Sequence, residues 1–380
     1  MKMEIDAEWS LFNIRRNLEW EKCSFYITRD KQQEFAKCVV KQGEYPIYNF
    51  LIHLFHVKGT LDINKDVFNT DSKAGNLINE FMKNLDLENV LDYLKKNSFE
   101  FYPVMEIYYN SLMSRLDVNN ESYFRNFKEL LMKNLHLFSR AAKHSLFLDM
   151  QNCCTTRIKH GNLNVNMESR KEVFEINKYI LKEGLEKFDE FEERHYIQLA
   201  FFRNVVVSAG VVGEIDWLEN FLNKYIIELA PEHRKNLYNY GMAYVCFERG
   251  KFEKSLELIT RVEYEYFYFR VEVKTVQLRI FYELNLFEQA NSLVDTFKHF
   301  LSKNKSLSPL YRKRNSIFLN YYIQLFKYKR GDHSISLKRI ESEMSTITFE
   351  CKSWTLRKLS ELEENVTKNE TRLRGQAANC

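Results

Sequence analysis

The sequence predicts an all-α protein, a superhelical array (an α-solenoid) of antiparallel helix hairpins with about 14 to 18 helices. Only 4 Pro and 11 Gly interrupt the 380 residues. This disfavours β-sandwiches and barrels, because their strands need a turn signal every ~8–12 residues. The 22 Tyr and 30 Phe indicate extensive packing between elements. The third observation is a corner motif that recurs along the chain.

The corner motif places a Gly or Asn two residues before a large side chain and five residues before a small one. Its best copy consists of Gly250, Phe252 and Ser255, followed by an apolar pair. A second copy, 35 positions further on, begins at Asn285 and continues with Phe287 and Ala290. Poorer copies begin at Gly43, Gly213 and Gly331.

Each position of this corner has a physical role. Gly and Asn adopt positive φ at low cost, so they commonly end a helix. The large residue opens the next helix and packs into the angle between the two. The small residue, one turn later, lets the helices approach closely. The motif therefore predicts antiparallel hairpins, and Pro231 is expected in the first turn of the helix that precedes Gly250.

Residues 264–273, YEYFYFRVEV, begin with an alternation of Tyr and Glu that is the period of a β-strand. A single strand in a helical chain would leave its ladder groups unpaired. From Tyr268 the apolar residues also advance in steps of three and four, which is the period of a helix. We therefore predict a link over residues 263–267 and a helix over 268–284.

Residues 190–301 resemble tetratricopeptide repeats (TPR), with a small residue in the first helix at Ala243 and the corner of Gly250, Phe252 and Ser255. The early Trp, the second small residue of the later helix and the closing Pro of that family are absent, so irregular helix lengths and angles are expected. SPLYRKRNSIFLNYYIQL and KSWTLRKLSELE look like the C-terminal part of large bacterial repeat proteins of unassigned function. The resemblance implies a scaffold over residues 140–366, with no activity attached.

On this basis the chain is predicted to contain three segments. Residues 1–140 form an N-terminal helical segment of divergent repeats, residues 141–366 form the TPR-like repeats, and residues 367–380 form a frayed tail. Within the first segment, residues 59–76 (GTLDINKDVFNTDSKAGN) are typical of a loop, because Asp, Asn and Gly favour turns.

The sequence contains no motif of a catalytic site. It lacks a phosphate loop, G-x-S-x-G and H-E-x-x-H, so we expect neither enzymatic activity nor a cofactor. Adjacent Cys153 and Cys154, with His160 nearby, are poor tetrahedral ligands and are predicted to be buried thiols rather than a metal site. His53 and His56 lie one turn apart and are interpreted as histidines at the edge of the core.

Several features predict a cytoplasmic protein that does not enter a membrane. Residues 1–8 are acidic and lack the apolar segment of an export signal. The 7 Cys follow no disulfide spacing. The longest nearly apolar run, residues 205–213, is far shorter than the roughly 20 residues that span a bilayer.

The favoured function is a scaffold that binds a protein or peptide in the groove of the array. Exposed polar and aromatic side chains of the first helix of each hairpin would hold such a partner. The residues expected to do so are Arg203, Asn204, Tyr238 and Asn239. The sequence leaves the oligomeric state open.

The alternative partner is nucleic acid or an acidic protein, bound by the basic hairpin of residues 303–339, where Asp332 is the single acid. Arg312, Lys327 and Arg330 are predicted on the solvent face of one helix. Arg312 and Lys327 would stand about 22 Å apart along its axis, a separation that suits a polyanion better than a single phosphate. The favoured interpretation of these cations by themselves is a solvated helix face that binds no partner.

Overall fold

The computed structural model describes residues 7–67, 76–160, 163–187, 196–263 and 267–377, and within these ranges it contains 17 α-helices and no β-strand. The predicted all-α class is confirmed. None of these helices combines the length and the apolar character needed to cross a bilayer. The helices are α1 (Ala7–Ile27), α2 (Gln32–Val67), α3 (Asn76–Asn84), α4 (Leu87–Lys96), α5 (Tyr102–Leu116), α6 (Glu121–Lys133), α7 (Arg140–His160), α8 (Leu163–Lys182), α9 (Leu199–Val212), α10 (Ile215–Tyr225), α11 (Pro231–Glu248), α12 (Phe252–Thr260), α13 (Phe267–Glu283), α14 (Phe287–Lys303), α15 (Pro309–Lys329), α16 (Leu337–Thr346) and α17 (Lys352–Ala377).

The chain divides into two compact units, the first of residues 1–64 and 71–234 and the second of residues 65–70 and 235–380. In the first unit α5 packs on α6, α7 on α8, α8 on α9 and α9 on α10. In the second unit α12, α13, α14 and α15 pack in succession, and α17 packs on both α15 and α16. Neighbouring helices therefore pack largely in chain order. The first unit continues through residue 140, where the sequence suggested a boundary.

Four of the five predicted corners end a helix in the left-handed conformation. The φ angles are 83° at Gly213, 72° at Gly250, 57° at Asn285 and 101° at Gly331. At each corner the next amide donates to the carbonyl four positions before the corner residue, as Lys251 N does to Cys246 O at 2.8 Å. This is the Schellman hydrogen bond, which satisfies a carbonyl that the ending helix leaves without a partner.

The side chains after Gly250 take the predicted roles. Phe252 is the first residue of α12, and its ring meets that of Phe247 on α11 at 5.5 Å. Ser255 is fully buried, and its Oγ donates to Ala243 O at 2.7 Å. The small residue therefore allows α12 to approach the backbone of α11. Pro231 opens α11, as predicted.

The prediction of a corner at Gly43 is wrong, because α2 continues through both Gly43 and Pro46. Its buried face includes Tyr45 and Tyr48, and the ring of Tyr48 lies 5.8 Å from Phe12 on α1. Packing of this face stabilises the helix across two residues that would end an isolated one. The same helix contains residues 59–67 of the predicted loop, and residues 68–75 lie outside the described part of the chain.

The corner at Gly331 departs from the motif on its C-terminal side. The next helix, α16, begins only at Leu337, and Ser336 is its N-cap, with Oγ accepting a hydrogen bond from Arg339 N at 3.4 Å. Ser336 was expected inside that helix as a small packing residue. Its hydroxyl instead satisfies one of the amides that a helix start leaves unpaired.

Two other predictions concern the segment YEYFYFRVEV and the C-terminal tail. Residues 268–273 are helical, so the helical interpretation of YEYFYFRVEV is confirmed there. Helix α13 begins at Phe267, which was predicted to belong to the link, and residues 264–266 are not described. The tail that was expected to fray continues α17 as far as Ala377.

Two glycines of α2 give a matched pair of stability predictions. A Cβ at Gly59 would overlap the guanidinium group of buried Arg115, whereas one at Gly43 would meet no atom within 4 Å. We expect Gly59→Ala to destabilise the protein by about 1–3 kcal/mol. Gly43→Ala should stabilise it by about 0.5–1 kcal/mol, because alanine loses less backbone entropy in a helix. Urea unfolding of both variants tests this, and equal midpoints would contradict it.

Candidate functional site

Helices α7, α8 and α9 enclose a cavity of about 200 Å³ in the first unit, which we call the polar groove. It contains two of the predicted partner-binding residues, Arg203 and Asn204 of α9, both half-buried. The other residues that line it are Gln151, Asn152, Thr155, Ile158, Arg170, Val173, Val207, Ser208 and Val211. Amide and guanidinium groups therefore converge on one concave surface.

A relay of buried amides connects the three helices beneath the polar groove. Gln151 Nε2 donates to Asn177 Oδ1 at 2.7 Å, and Asn177 Nδ2 donates to Ser208 Oγ at 2.9 Å. Ser208 Oγ in turn donates to Val205 O at 3.1 Å. Because each buried polar group has a partner, the relay holds α7, α8 and α9 in one relative position. Nothing in the sequence analysis identified these residues.

The rim of the polar groove carries a mixture of donors and acceptors. Arg203 Nη1 donates to Asn204 Oδ1 at 2.6 Å, so the two predicted residues orient each other. Arg170 Nε donates to Asn166 Oδ1 at 2.7 Å. The half-buried amide of Asn152 makes no side-chain hydrogen bond within the described residues. Among the described residues that line the groove are two arginines and no carboxylate.

The other two predicted groove residues belong to the second unit. Tyr238 on α11 is half-buried, and Asn239, beside it, is only 8% exposed. The structure brings Arg203 and Asn204 together in one cavity and places Tyr238 and Asn239 on a different helix. Burial of Asn239 follows from its position among Leu237, Tyr240 and Ala243, all of which are buried on α11.

The cations of the basic hairpin extend from Lys303, the last residue of α14, to Arg339 on α16. Between them, α15 buries Phe318, Tyr322 and Leu325. Lys327 and Arg330 are exposed and Arg312 is half-buried. The Arg330 guanidinium stands 4.1 Å from the centre of the Phe287 ring.

Lys329, another cation of the same hairpin, forms a contact within the protein. Lys329 Nζ donates to Tyr282 O at 2.7 Å, and burial lowers the pKa of its ammonium. Part of the positive charge of the hairpin is thus engaged with the protein itself.

The cysteine pair is confirmed as buried thiols. Cys153 and Cys154 on α7 are fully buried, and burial raises the pKa of both thiols. Ser114 Oγ donates to Cys153 Sγ at 2.8 Å. His160 is exposed, as is His53, and His56 is half-buried. Within the described ranges, no three His, Cys, Asp or Glu side chains are grouped as a metal ion would require.

A second and larger cavity of about 810 Å³, the aromatic cavity, lies among α6, α7, α8 and α10 of the first unit. Trp217, Phe221 and Tyr225 of α10 form a stack along one wall. No motif in the sequence predicted this cavity. The spacing of the three rings at i, i+4 and i+8 was the available signal, but such a stripe is equally typical of a buried helix face.

Comparison with known proteins adds no relative to this description, since no family model, no curated protein and no solved structure matches the chain.

Proposed function

We propose that this protein is a non-catalytic helical-repeat scaffold of TPR-like hairpins whose polar groove binds a polypeptide segment. Stacked hairpins that cover one another's apolar faces are characteristic of proteins that present extended binding surfaces. The cytoplasm is the proposed compartment, since the cysteines of the described residues are free thiols.

One observation carries this proposal: Arg203, Asn204 and Asn152 line a single groove above a hydrogen-bonded amide relay. Asn side chains offer a donor and an acceptor, as a peptide group does, so they can pair with main-chain groups of a bound segment. Arg203 adds a fork of donors suited to a carbonyl or carboxylate oxygen. The relay keeps α7 and α9 in place before binding, which lowers the entropy lost when a ligand binds.

The test uses a phage-displayed library of random twelve-residue peptides selected on the full chain. We expect enriched peptides that bind the wild-type protein and bind the double variant Arg203→Ala, Asn204→Ala roughly tenfold more weakly. Loss of two hydrogen bonds, each worth about 0.5–1.5 kcal/mol, accounts for this change. Isothermal titration with the synthetic peptides measures the two dissociation constants.

The chain offers a matched control in Arg125 and Asn126, an adjacent Arg–Asn pair on α6 that is exposed and lines neither cavity. The double variant Arg125→Ala, Asn126→Ala should bind the enriched peptides as the wild type does. Peptides that bind the Arg203/Asn204 variant undiminished, or a selection that enriches none, would refute the proposal.

A further inference from the structure

We infer that the aromatic cavity is a second binding site, and that it takes a polypeptide segment with large apolar side chains flanked by carboxylates. The inference rests on the size of the cavity, on how its rings are used and on its charge. It concerns a surface other than the polar groove and does not depend on the function proposed there.

The aromatic cavity has the dimensions of a binding site. Its volume of about 810 Å³ falls within the ~300–1,000 Å³ that is usual for ligand sites. Along α8 it extends from Glu172 to Lys182, about 15 Å at the helical rise per residue. A helical segment of about ten residues, or four to five extended residues, would fill that length.

The rings of α10 are already stacked on one another. Trp217 lies 5.5 Å from Phe221 with an interplanar angle of 7°, and Phe221 lies 5.2 Å from Tyr225 at 28°. Phe174 of α8 meets Trp217 at 4.9 Å and 86°. Lys224 Nζ stands 4.9 Å from the centre of the Tyr225 ring.

The stacking of Trp217, Phe221 and Tyr225 on one another occupies ring faces within the protein, so we expect a ligand to meet ring edges more often than ring faces. Ring edges carry partial positive charge, and they pack well against aliphatic and aromatic side chains. Nucleic-acid bases bind differently, because they stack on free ring faces. The arrangement of the rings therefore favours apolar side chains and carboxylates over bases.

The polar residues of the cavity leave an excess of positive charge. Four lysines and two glutamates line it: Lys128, Lys178, Lys182, Lys224, Glu172 and Glu175. Glu172 pairs with Lys128 at 2.7 Å, and Glu175 pairs with Lys178 at 3.0 Å. Lys182 and Lys224 are exposed and have no carboxylate partner in the described part of the chain. Two unneutralised ammonium groups beside an apolar wall are complementary to an acidic and apolar segment.

The two cavities lie on opposite sides of α8. Arg170 and Val173 line the polar groove, whereas Glu175, Tyr179 and Lys182 line the aromatic cavity. At about 100° per residue these two sets point in opposite directions. Occupation of one cavity therefore leaves the other open, and variants of each can be tested separately.

The test measures fluorescence anisotropy of a fluorescein-labelled ten-residue peptide made of Leu and Glu on opposite helix faces. We expect the full chain to bind it with a dissociation constant on the order of 10 µM. The double variant Lys182→Glu, Lys224→Glu should bind the peptide roughly tenfold more weakly. The double variant Lys182→Gln, Lys224→Gln should bind it with an intermediate affinity. A peptide with Ala in place of Leu should also bind roughly tenfold more weakly, because it buries less apolar area.

The control variant Lys133→Glu, Lys171→Glu reverses two exposed charges on α6 and α8 that line neither cavity, and it should bind within about twofold of the wild type. Arg203→Ala, Asn204→Ala should bind normally, which separates this inference from the proposed function. Far-ultraviolet circular dichroism checks that each variant is folded. Three results would each overturn the inference. The wild type does not bind the Leu peptide, or it binds the Ala peptide equally well. The third is tighter binding of a ten-residue oligothymidylate that the double variant Lys182→Glu, Lys224→Glu abolishes.

Discussion

Replacing Trp354 with alanine is expected to lower the free energy of unfolding of the second unit by about 3–5 kcal/mol. The side chain is 6% exposed and connects three helices. Its ring meets Tyr282 of α13 at 5.4 Å, Tyr322 of α15 at 6.1 Å and Phe318 of α15 at 6.3 Å. Alanine would leave a cavity between α17 and these rings, and urea unfolding monitored by far-ultraviolet circular dichroism measures the loss.

Trp20 provides the control for this prediction, because it is 67% exposed on α1; Trp20→Ala should change stability by no more than about 0.5 kcal/mol. Trp354→Phe should cost less than about 1.5 kcal/mol. The indole Nε1 is buried without a hydrogen-bond partner within the described residues, so replacement by phenylalanine breaks no hydrogen bond there. If Trp354→Ala were no less stable than Trp20→Ala, the packing of α17 on α15 would be wrong.

The variant Asp149→Ala is expected to destabilise the first unit by about 3–5 kcal/mol. Asp149 on α7 and Arg115 on α5 are both buried, with Nη1 and Oδ1 3.4 Å apart. Removal of the carboxylate leaves a guanidinium in the interior without its counter-charge, which is costlier than losing one contact. The shift of the urea midpoint, with the slope of the transition unchanged, measures this effect.

A second substitution separates the buried charge from simple packing. Arg115 Nε has no hydrogen-bond partner among the described residues, so the pair is incompletely satisfied. Replacing both residues with apolar ones, Arg115→Met with Asp149→Leu, should recover at least about 2 kcal/mol of the loss. A double variant as unstable as Asp149→Ala would show that lost packing, and not the unpaired cation, causes the destabilisation.

The corners show how far local chemistry predicts this fold. The chain ends helices at Gly213, Gly250, Asn285 and Gly331 with the same hydrogen bond over six residues, so a short sequence window contains the information. Gly184 makes the same bond, from Leu185 N to Ile180 O at 3.0 Å, with φ of 64°. This corner does not fit the motif, because the charged Glu186 stands two positions after Gly184 in place of an aromatic or apolar residue.

Other helix ends carry no glycine at all. Ser98 has φ of 52°, and Phe99 N donates to Leu94 O at 3.1 Å. Asp30 has φ of 58° after α1, with Lys31 N donating to Tyr26 O. Serine is not a common residue at such positions, so composition alone does not predict an end there.

The candidate sites were predicted in part. Arg203 and Asn204 were selected as polar residues of a first helix, and the structure places both in the polar groove. Their neighbours Gln151 and Asn152 come from α7, about 50 positions earlier in the chain, and a single sequence offers no pattern that joins them. The aromatic cavity could not be predicted from the sequence for the same reason. Its residues Lys128 and Lys224 are far apart in the chain and line one cavity only because α6 and α10 both lie beside α8.

The sequence by itself determined the all-α class and four of the five predicted hairpin corners, because helical period and positive φ depend on a few adjacent residues. Tertiary structure alone decided that α2 continues through Gly43 and Pro46, where Tyr48 packs on Phe12 and Phe101. It also decided which helix faces form the two cavities. These outcomes depend on free energies of contact between residues distant in the chain, and such energies exceed the local preference of any single residue.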